Sequence, residues 1–210
     1  MKNGPLLFLG LLSAIAISFG GIVLGSHAQL GRLVPYYDDT ESASFPSRTN
    51  GFAARGQLVY ADLGCAACHT QQVRRPDFGS DAARGWGDRQ SVARDYIHQA
   101  RPQLGASRLG PDLTNLAGRK PATPTESGLL KLLHDGSATH PSYKFLFETL
   151  PVSGEVSARA LKSGAGVQIV PTERALTLAA YLLSLNTSYV YPEARPFASI
   201  KTAVAGETKK

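Results

Sequence analysis

Gly64-Cys65-Ala66-Ala67-Cys68-His69 holds the only two cysteines of the 210-residue chain, separated by two residues and followed at once by a histidine. Cys-x-x-Cys-His is the attachment pattern of a c-type haem. The residue types follow from the chemistry. Each thiol adds to one haem vinyl group to form a thioether, and two intervening residues let a single helical turn present both sulfurs to one porphyrin edge. The next residue along that turn, His69, then points beneath the iron. Other uses of the pair fit less well. A zinc site needs about four ligands, and no second cysteine pair exists to close one. A disulfide oxidoreductase places its pair at a helix start in a βαβ context, which the surrounding sequence lacks. The expected cofactor is one covalently bound haem c on Cys65 and Cys68, with His69 as an iron ligand.

A single cysteine pair limits the chain to one such haem. With 43% hydrophobic and 18% charged residues, the composition is that of a globular protein able to pack a core. The formal net charge of +6 raises the question of nucleic acid as a partner. The basic residues are scattered and form no run interleaved with aromatics, so no nucleic-acid partner is expected.

Between residues 4 and 31 there is no Asp, Glu, Lys or Arg, and residues 5–24 read PLLFLGLLSAIAISFGGIVL. About 20 apolar residues span a bilayer as a helix, whereas the hydrophobic part of a secretory signal is only about 7–15 residues long. Residues 1–26 are therefore read as an uncleaved, single-pass transmembrane anchor. Ser26-His27-Ala28 does resemble a small-x-small cleavage site, and removal of the segment stays open as the alternative. Gly20, Gly21 and Gly25 would let the anchor approach other transmembrane helices closely. Flanking charges do not settle the topology, but haem attachment does: bacterial c-type cytochromes acquire haem outside the inner membrane. The expected location is the bacterial inner membrane with the haem domain on the periplasmic side.

Residues 27–50, with Pro35, Pro46, Asp38, Asp39 and several Ser and Thr, read as a linker. Tyr36 and Tyr37 suit either the lipid headgroup level or packing of the linker on the domain. Residues 51–186 form the expected haem domain. Residues 51–63 predict its first helix, with Phe52, Leu58 and Tyr60 on one face, and residues 91–100 predict a short helix capped by Ser91. Val92, Tyr96 and His98 are candidates to pack on the haem edge, and Trp86 is read as a packing anchor before an electron-entry point. Residues 125–135 predict another helix, rich in leucine. A loop or hairpin insertion occupies about 149–170. The last helix opens at Pro171, with proline in its first turn, and presents Leu176, Ala180, Leu183 or Tyr181 to the first helix. Residues 187–210 read as a tail that wraps the surface or is disordered. The fold class expected is mostly α, one N-terminal transmembrane helix followed by a class I-like cytochrome c domain.

The second axial ligand is the open question. Methionine is the common choice and raises the potential, but the only methionine is Met1, ahead of the membrane span. His98, His134 and His140 remain. His140 is favoured because it lies in the loop before Pro141 and Tyr143, where the chain is expected to pass the distal face.

Several segments together carry a family likeness: Arg55-Gly56-x-x-x-Tyr60, Gly-Cys-x-x-Cys-His-x-Gln at 64–71, Val73-Arg74, Gly-Pro-Asp-Leu at 110–113, and Gly118-Arg119. With the anchor and linker, the chain over about residues 5–147 resembles the mono-haem, membrane-anchored subunit II of cbb-type haem-copper oxidases. The resemblance implies that the carbonyl of Pro111 accepts the ring N–H of His69; by residue type alone Pro111 could simply end a helix. The family supplies its distal methionine from a Met-Pro-x-Tyr segment, and this chain has His140-Pro141-Ser142-Tyr143 in its place. Bis-histidine ligation by His69 and His140 is the expectation. The function implied is a non-catalytic electron-transfer subunit. Its partners would be the lipid bilayer, a membrane-embedded haem-copper oxidase-like core and other cytochrome subunits. The alternative is an anchored haem sensor or small-molecule haem enzyme with an open distal position.

Overall fold

The computed structural model describes residues 3–120, 123–194 and 196–197. In chain order it contains helix α1 (Gly4–Leu30), strands β1 (Tyr36–Asp38) and β2 (Ala43–Phe45), and helices α2 (Gly51–Asp62) and α3 (Glu126–Asp135). Strands β3 (Phe147–Pro151), β4 (Lys162–Gly164) and β5 (Val167–Pro171) and helix α4 (Glu173–Ser184) follow. Two small antiparallel sheets, β1-β2 and β3-β5-β4, share the domain with the helices. The mostly-α expectation is thus met only in part, because the chain between haem motif and α3 is largely irregular and the insertion is a three-stranded sheet.

Helix α1 has 27 residues with a mean hydropathy of 2.4, and its apolar stretch buries nothing against the rest of the chain. At about 1.5 Å per residue it exceeds the ~30 Å hydrocarbon core of a bilayer. Its winding widens to a π turn at Phe19–Leu24, where the Gly25 N–H donates to the Gly20 carbonyl. Beyond the helix, β1 and β2 pair with Tyr36 opposite Phe45. Tyr36 packs toward Tyr189, 6.1 Å between ring centroids, while Tyr37 is exposed.

Helix α2 starts at Asn50, whose side chain accepts the Ala53 N–H at 2.8 Å. Its buried face is Ala53, Gly56 and Tyr60, whereas Phe52 and Leu58 point to solvent. The correction has a steric cause. Helix α4 crosses at Gly56, and a Cβ there would collide with the backbone carbonyl of Thr177. Close approach selects the smallest side chains for the interface instead of the largest. On α4 the residues against Gly56 are Thr177 and, as expected, Tyr181, whose ring meets Tyr60 edge-on at 5.5 Å. Pro171 ends β5 instead of entering the helix, and Thr172 caps α4 by accepting the Ala175 N–H.

Helix α3 is capped by Thr125, which accepts the Gly128 N–H at 3.1 Å, and buries Leu129, Leu130 and Leu133. These join Leu113, Leu116, Leu146, Leu178 and Leu182 in one core. The expected helix at 91–100 shrinks to the single 3-10 turn Ala93–Tyr96. Ser91 is engaged elsewhere: its hydroxyl accepts the Val73 N–H at 2.9 Å. Asp95 takes over the start of the turn by accepting the Val92 N–H at 2.9 Å. After α4, residues 187–194 and 196–197 pack back on the domain, burying Tyr191, Ala194 and Phe197. The Phe45 and Tyr189 rings stack at 3.8 Å, so this segment also touches the linker hairpin. Residues 198–210 of the tail lie outside the described residues.

Candidate haem site

The haem motif turns sharply because Gly64 takes the left-handed conformation, φ 70°, ahead of the 3-10 turn Cys65–Ala67. Two later loops then hold it by its backbone. The Ala106 N–H donates to Ala66 at 2.8 Å, Gly110 to Cys68 at 2.9 Å, and Leu113 to Thr70 at 2.8 Å, while the Gln71 N–H donates to Leu104 at 3.1 Å. Buried Asp112 adds side-chain ties, accepting the Thr70 hydroxyl at 2.6 Å and the Gln72 N–H at 2.8 Å. These bonds fix Pro111 beside His69, with the Pro111 carbonyl 2.8 Å from His69 Nδ1. An Nδ1–H donated there leaves the Nε2 lone pair free for a metal. Gly110 makes room for the ring, since a Cβ on it would overlap the imidazole.

His69 faces a cavity of about 480 Å³ walled by Tyr60, Leu113, Leu116, Leu129, Leu133, Leu178 and Leu182, with Cys65 and Cys68 on its lining and His140 contributed by the loop after α3. Burial lowers the pKa of His69, opposed by the Pro111 carbonyl, and so favours the neutral imidazole a metal needs. The Cys65 thiol is pushed up to about 11 by burial; it lacks the low-pKa thiolate of a redox-active pair.

His140 is set by its own loop. Gly136 turns with φ 69°, the His140 N–H donates to Ser137 Oγ at 3.1 Å, and the Tyr143 N–H donates to the Leu133 carbonyl at 2.6 Å. The rings of His69 and His140 lie 6.2 Å apart, tilted by 45°. Two imidazoles sharing one metal at about 2.0–2.1 Å per bond would have centroids about 6.3 Å apart. His140 Nδ1 is buried and has no hydrogen-bond partner among the described residues. His134 lies elsewhere, its ring edge-on to Phe147 at 5.0 Å and its Nδ1 2.7 Å from Asp135. Neither His134 nor His98 lines the cavity.

The expected haem-edge packing of Val92, Tyr96 and His98 does not occur, because none of them lines the cavity; Tyr96 instead donates its hydroxyl to the Gln71 carbonyl at 2.8 Å. Trp86 lies beside the guanidinium groups of Arg84, at 4.8 Å, and Arg108, at 5.6 Å, away from the cavity. Arg119 was missed as a site residue. It lines the cavity, donates to the Asp112 carbonyl, and keeps a buried Nε without a partner among the described residues. Its signal was Gly118-Arg119, a short step beyond Gly-Pro-Asp-Leu; Gly118 has the Asn115 side chain where a Cβ would sit.

Apolar walls, two thiols at one edge, an oriented imidazole and a second imidazole across the space fit a haem, and they define the pocket of a mono-haem cytochrome. The family described as Cytochrome C oxidase, mono-heme subunit/FixO matches residues 3–181, and the chain belongs to that family. A comparison with curated proteins gave no match. Membership makes haem the cofactor and an oxidase complex the partner, and α1 fits a single-pass anchor.

Proposed function

We propose that Cys65 and Cys68 would hold one haem c through thioether bonds, that His69 and His140 would be its two iron ligands, and that the subunit relays single electrons to or within a haem-copper oxidase-like core. The observation that carries this reading is the 6.2 Å spacing of the two imidazole rings across an apolar cavity. When bound, the haem supplies a reversible one-electron Fe(III)/Fe(II) couple.

The chain's own residues do the rest. Pro111 holds the tautomer and angle of His69 through the Nδ1 contact. The leucine walls exclude water, and the unused Nε of Arg119 is a buried donor suited to a haem carboxylate. Two imidazoles give a lower potential than imidazole and thioether, since axial-ligand identity is a principal lever. The anchor and the site of c-type haem attachment together support a periplasmic domain on a bacterial inner membrane, with other cytochrome subunits as electron partners.

The test is optical and electrochemical. The purified protein should retain haem under denaturing conditions, show a six-coordinate low-spin spectrum, and resist CO in the ferrous form. His140→Met should convert the spectrum toward His/Met character and raise the midpoint potential. An unchanged spectrum in that variant, with His134→Ala turning the haem high-spin, would overturn the ligand assignment. Prompt CO binding by the unmodified ferrous protein would instead favour the anchored sensor or small-molecule haem enzyme.

A further inference from the structure

A second cavity, of about 210 Å³, lies behind the haem motif, between residues of α2 and α4, the Ala93–Tyr96 turn, the linker and the C-terminal segment. Its rim includes the exposed hydroxyl residues Ser47, Thr49 and Ser188. Its interior is polar and buried. Arg89 and Asp95 form an ion pair at 2.7 Å with both side chains 3% exposed. Gln71 and Thr114, 2% and 5% exposed, also line it. Gln71 Nε2, Thr114 Oγ1 and the Tyr60 hydroxyl, which faces Gln71, are buried without a hydrogen-bond partner among the described residues. The remaining groups of Gln71 are used: Oε1 accepts the Tyr181 hydroxyl at 2.9 Å and the carbonyl accepts the Tyr96 hydroxyl at 2.8 Å.

An amide N–H and a hydroxyl left unpaired in a protein interior carry their full desolvation cost. Two such groups on one polar cavity with space for several waters have a simple remedy. We infer that this chamber is a water-binding site, in which ordered water bridges Gln71 Nε2 and Thr114 Oγ1 toward the Arg89–Asp95 pair. The C-terminal segment forms its outer wall. Tyr189 and Tyr191 line it, Arg89 Nε donates to the Tyr189 carbonyl at 2.6 Å, and the Thr187 N–H donates to Asn115 Oδ1 at 2.9 Å. These wall residues lie beyond the span matched by the family, 3–181.

The water has a positional consequence. Gln71 follows the iron ligand His69 by two residues, and its partner Tyr181 packs on Tyr60, which lines the haem cavity. Gln71 therefore stands in the partition between the two cavities, and water on its amide would border the wall that carries Tyr60. The inference is independent of how the iron is ligated.

The test uses the full-length, haem-loaded protein. A high-resolution crystal structure should show water within hydrogen-bond distance of both Gln71 Nε2 and Thr114 Oγ1. Thr114→Val, which keeps the shape and removes the hydroxyl, should lose the water at that position and melt at a lower temperature than the parent, and Thr114→Ser should restore both. Empty density at the two atoms overturns the proposal. So does a Thr114→Val protein that melts at or above the parent temperature, because deleting a dry, unpaired hydroxyl removes a penalty instead of a bond.

Discussion

The two histidine-bearing walls of the haem cavity are built differently. On the His69 side, backbone bonds from residues far along the chain converge on the motif, the ring nitrogen has the Pro111 carbonyl, and Gly110 is shaped around the imidazole. On the His140 side, the holding bonds are mostly short-range, from Ser137 and within the loop, and the ring Nδ1 has no partner among the described residues. One imidazole is fixed by the fold and the other is carried by a loop. The difference sets what each wall tolerates: a new side chain at position 140 need satisfy only its own loop, whereas a new side chain at position 69 would have to replace a network.

The largest effect should therefore come from the proximal wall. Gly110→Ala places a Cβ inside the His69 ring, so the imidazole must move off its Pro111 contact. Haem content, measured as the ratio of pyridine haemochrome to protein, should collapse. A Gly110→Ala protein with full haem content and an unchanged spectrum would show that the proximal wall is as pliant as the distal one.

The next effect tests the distal loop. His140→Ala should keep the attached haem and the fold but convert the spectrum to high spin, with added imidazole restoring low spin. His140→Met should raise the midpoint potential by roughly 0.1 V or more, a fraction of the ~0.8 V over which axial ligands act. Loss of haem from either variant would erase the distinction between a fixed and a carried ligand.

How far these walls could be read in advance differs for the same reason. The segment Cys65–His69 stands out in the sequence because Cys-x-x-Cys-His is a specific spacing, and the structure puts all three residues on the cavity lining. On the far side, elimination leaves three histidines, since Met1 is the only methionine, and His140 is singled out by its place before Pro141 and Tyr143 and by the resemblance to a Met-Pro-x-Tyr segment. By contrast, the face of α2 expected to hold Phe52, Leu58 and Tyr60 buries only Tyr60 of the three, because hydrophobic periodicity does not reveal that another helix backbone sits against Gly56. The packing of residues 187–194 was equally hidden. It depends on contacts such as Tyr189 with Asp38, 151 residues apart in sequence, and on a polar chamber whose members have no shared motif.

A smaller effect separates scaffold from site. Gly56→Ala forces the α2–α4 crossing apart, and overpacking of this kind costs about 1–3 kcal/mol. The melting temperature should fall by several degrees, at about 2–4 °C per kcal/mol for a chain of this size. The haem spectrum should be unchanged below the transition, because Gly56 does not line the cavity. A shifted spectrum with normal stability would mean that the helix crossing sets the ligand geometry directly.

The smallest effect concerns the contact between linker and C-terminal segment, remote from both walls. The Tyr189 hydroxyl donates to Asp38 at 2.6 Å, and with the Thr40 bonds it lowers the Asp38 pKa from 3.8 to about 2. A carboxylate depressed on folding stabilises the state in which it is ionised. Its contribution is complete above about pH 4 and is lost as the pH falls through about 2. Acidification across that window should loosen the Phe45–Tyr189 stack, visible in the near-ultraviolet circular dichroism, before the haem spectrum changes. Asp38→Asn should remove that early acid step while leaving the later one in place. If the variant keeps the early step, its proton is bound elsewhere, and the linker contact plays no part in it.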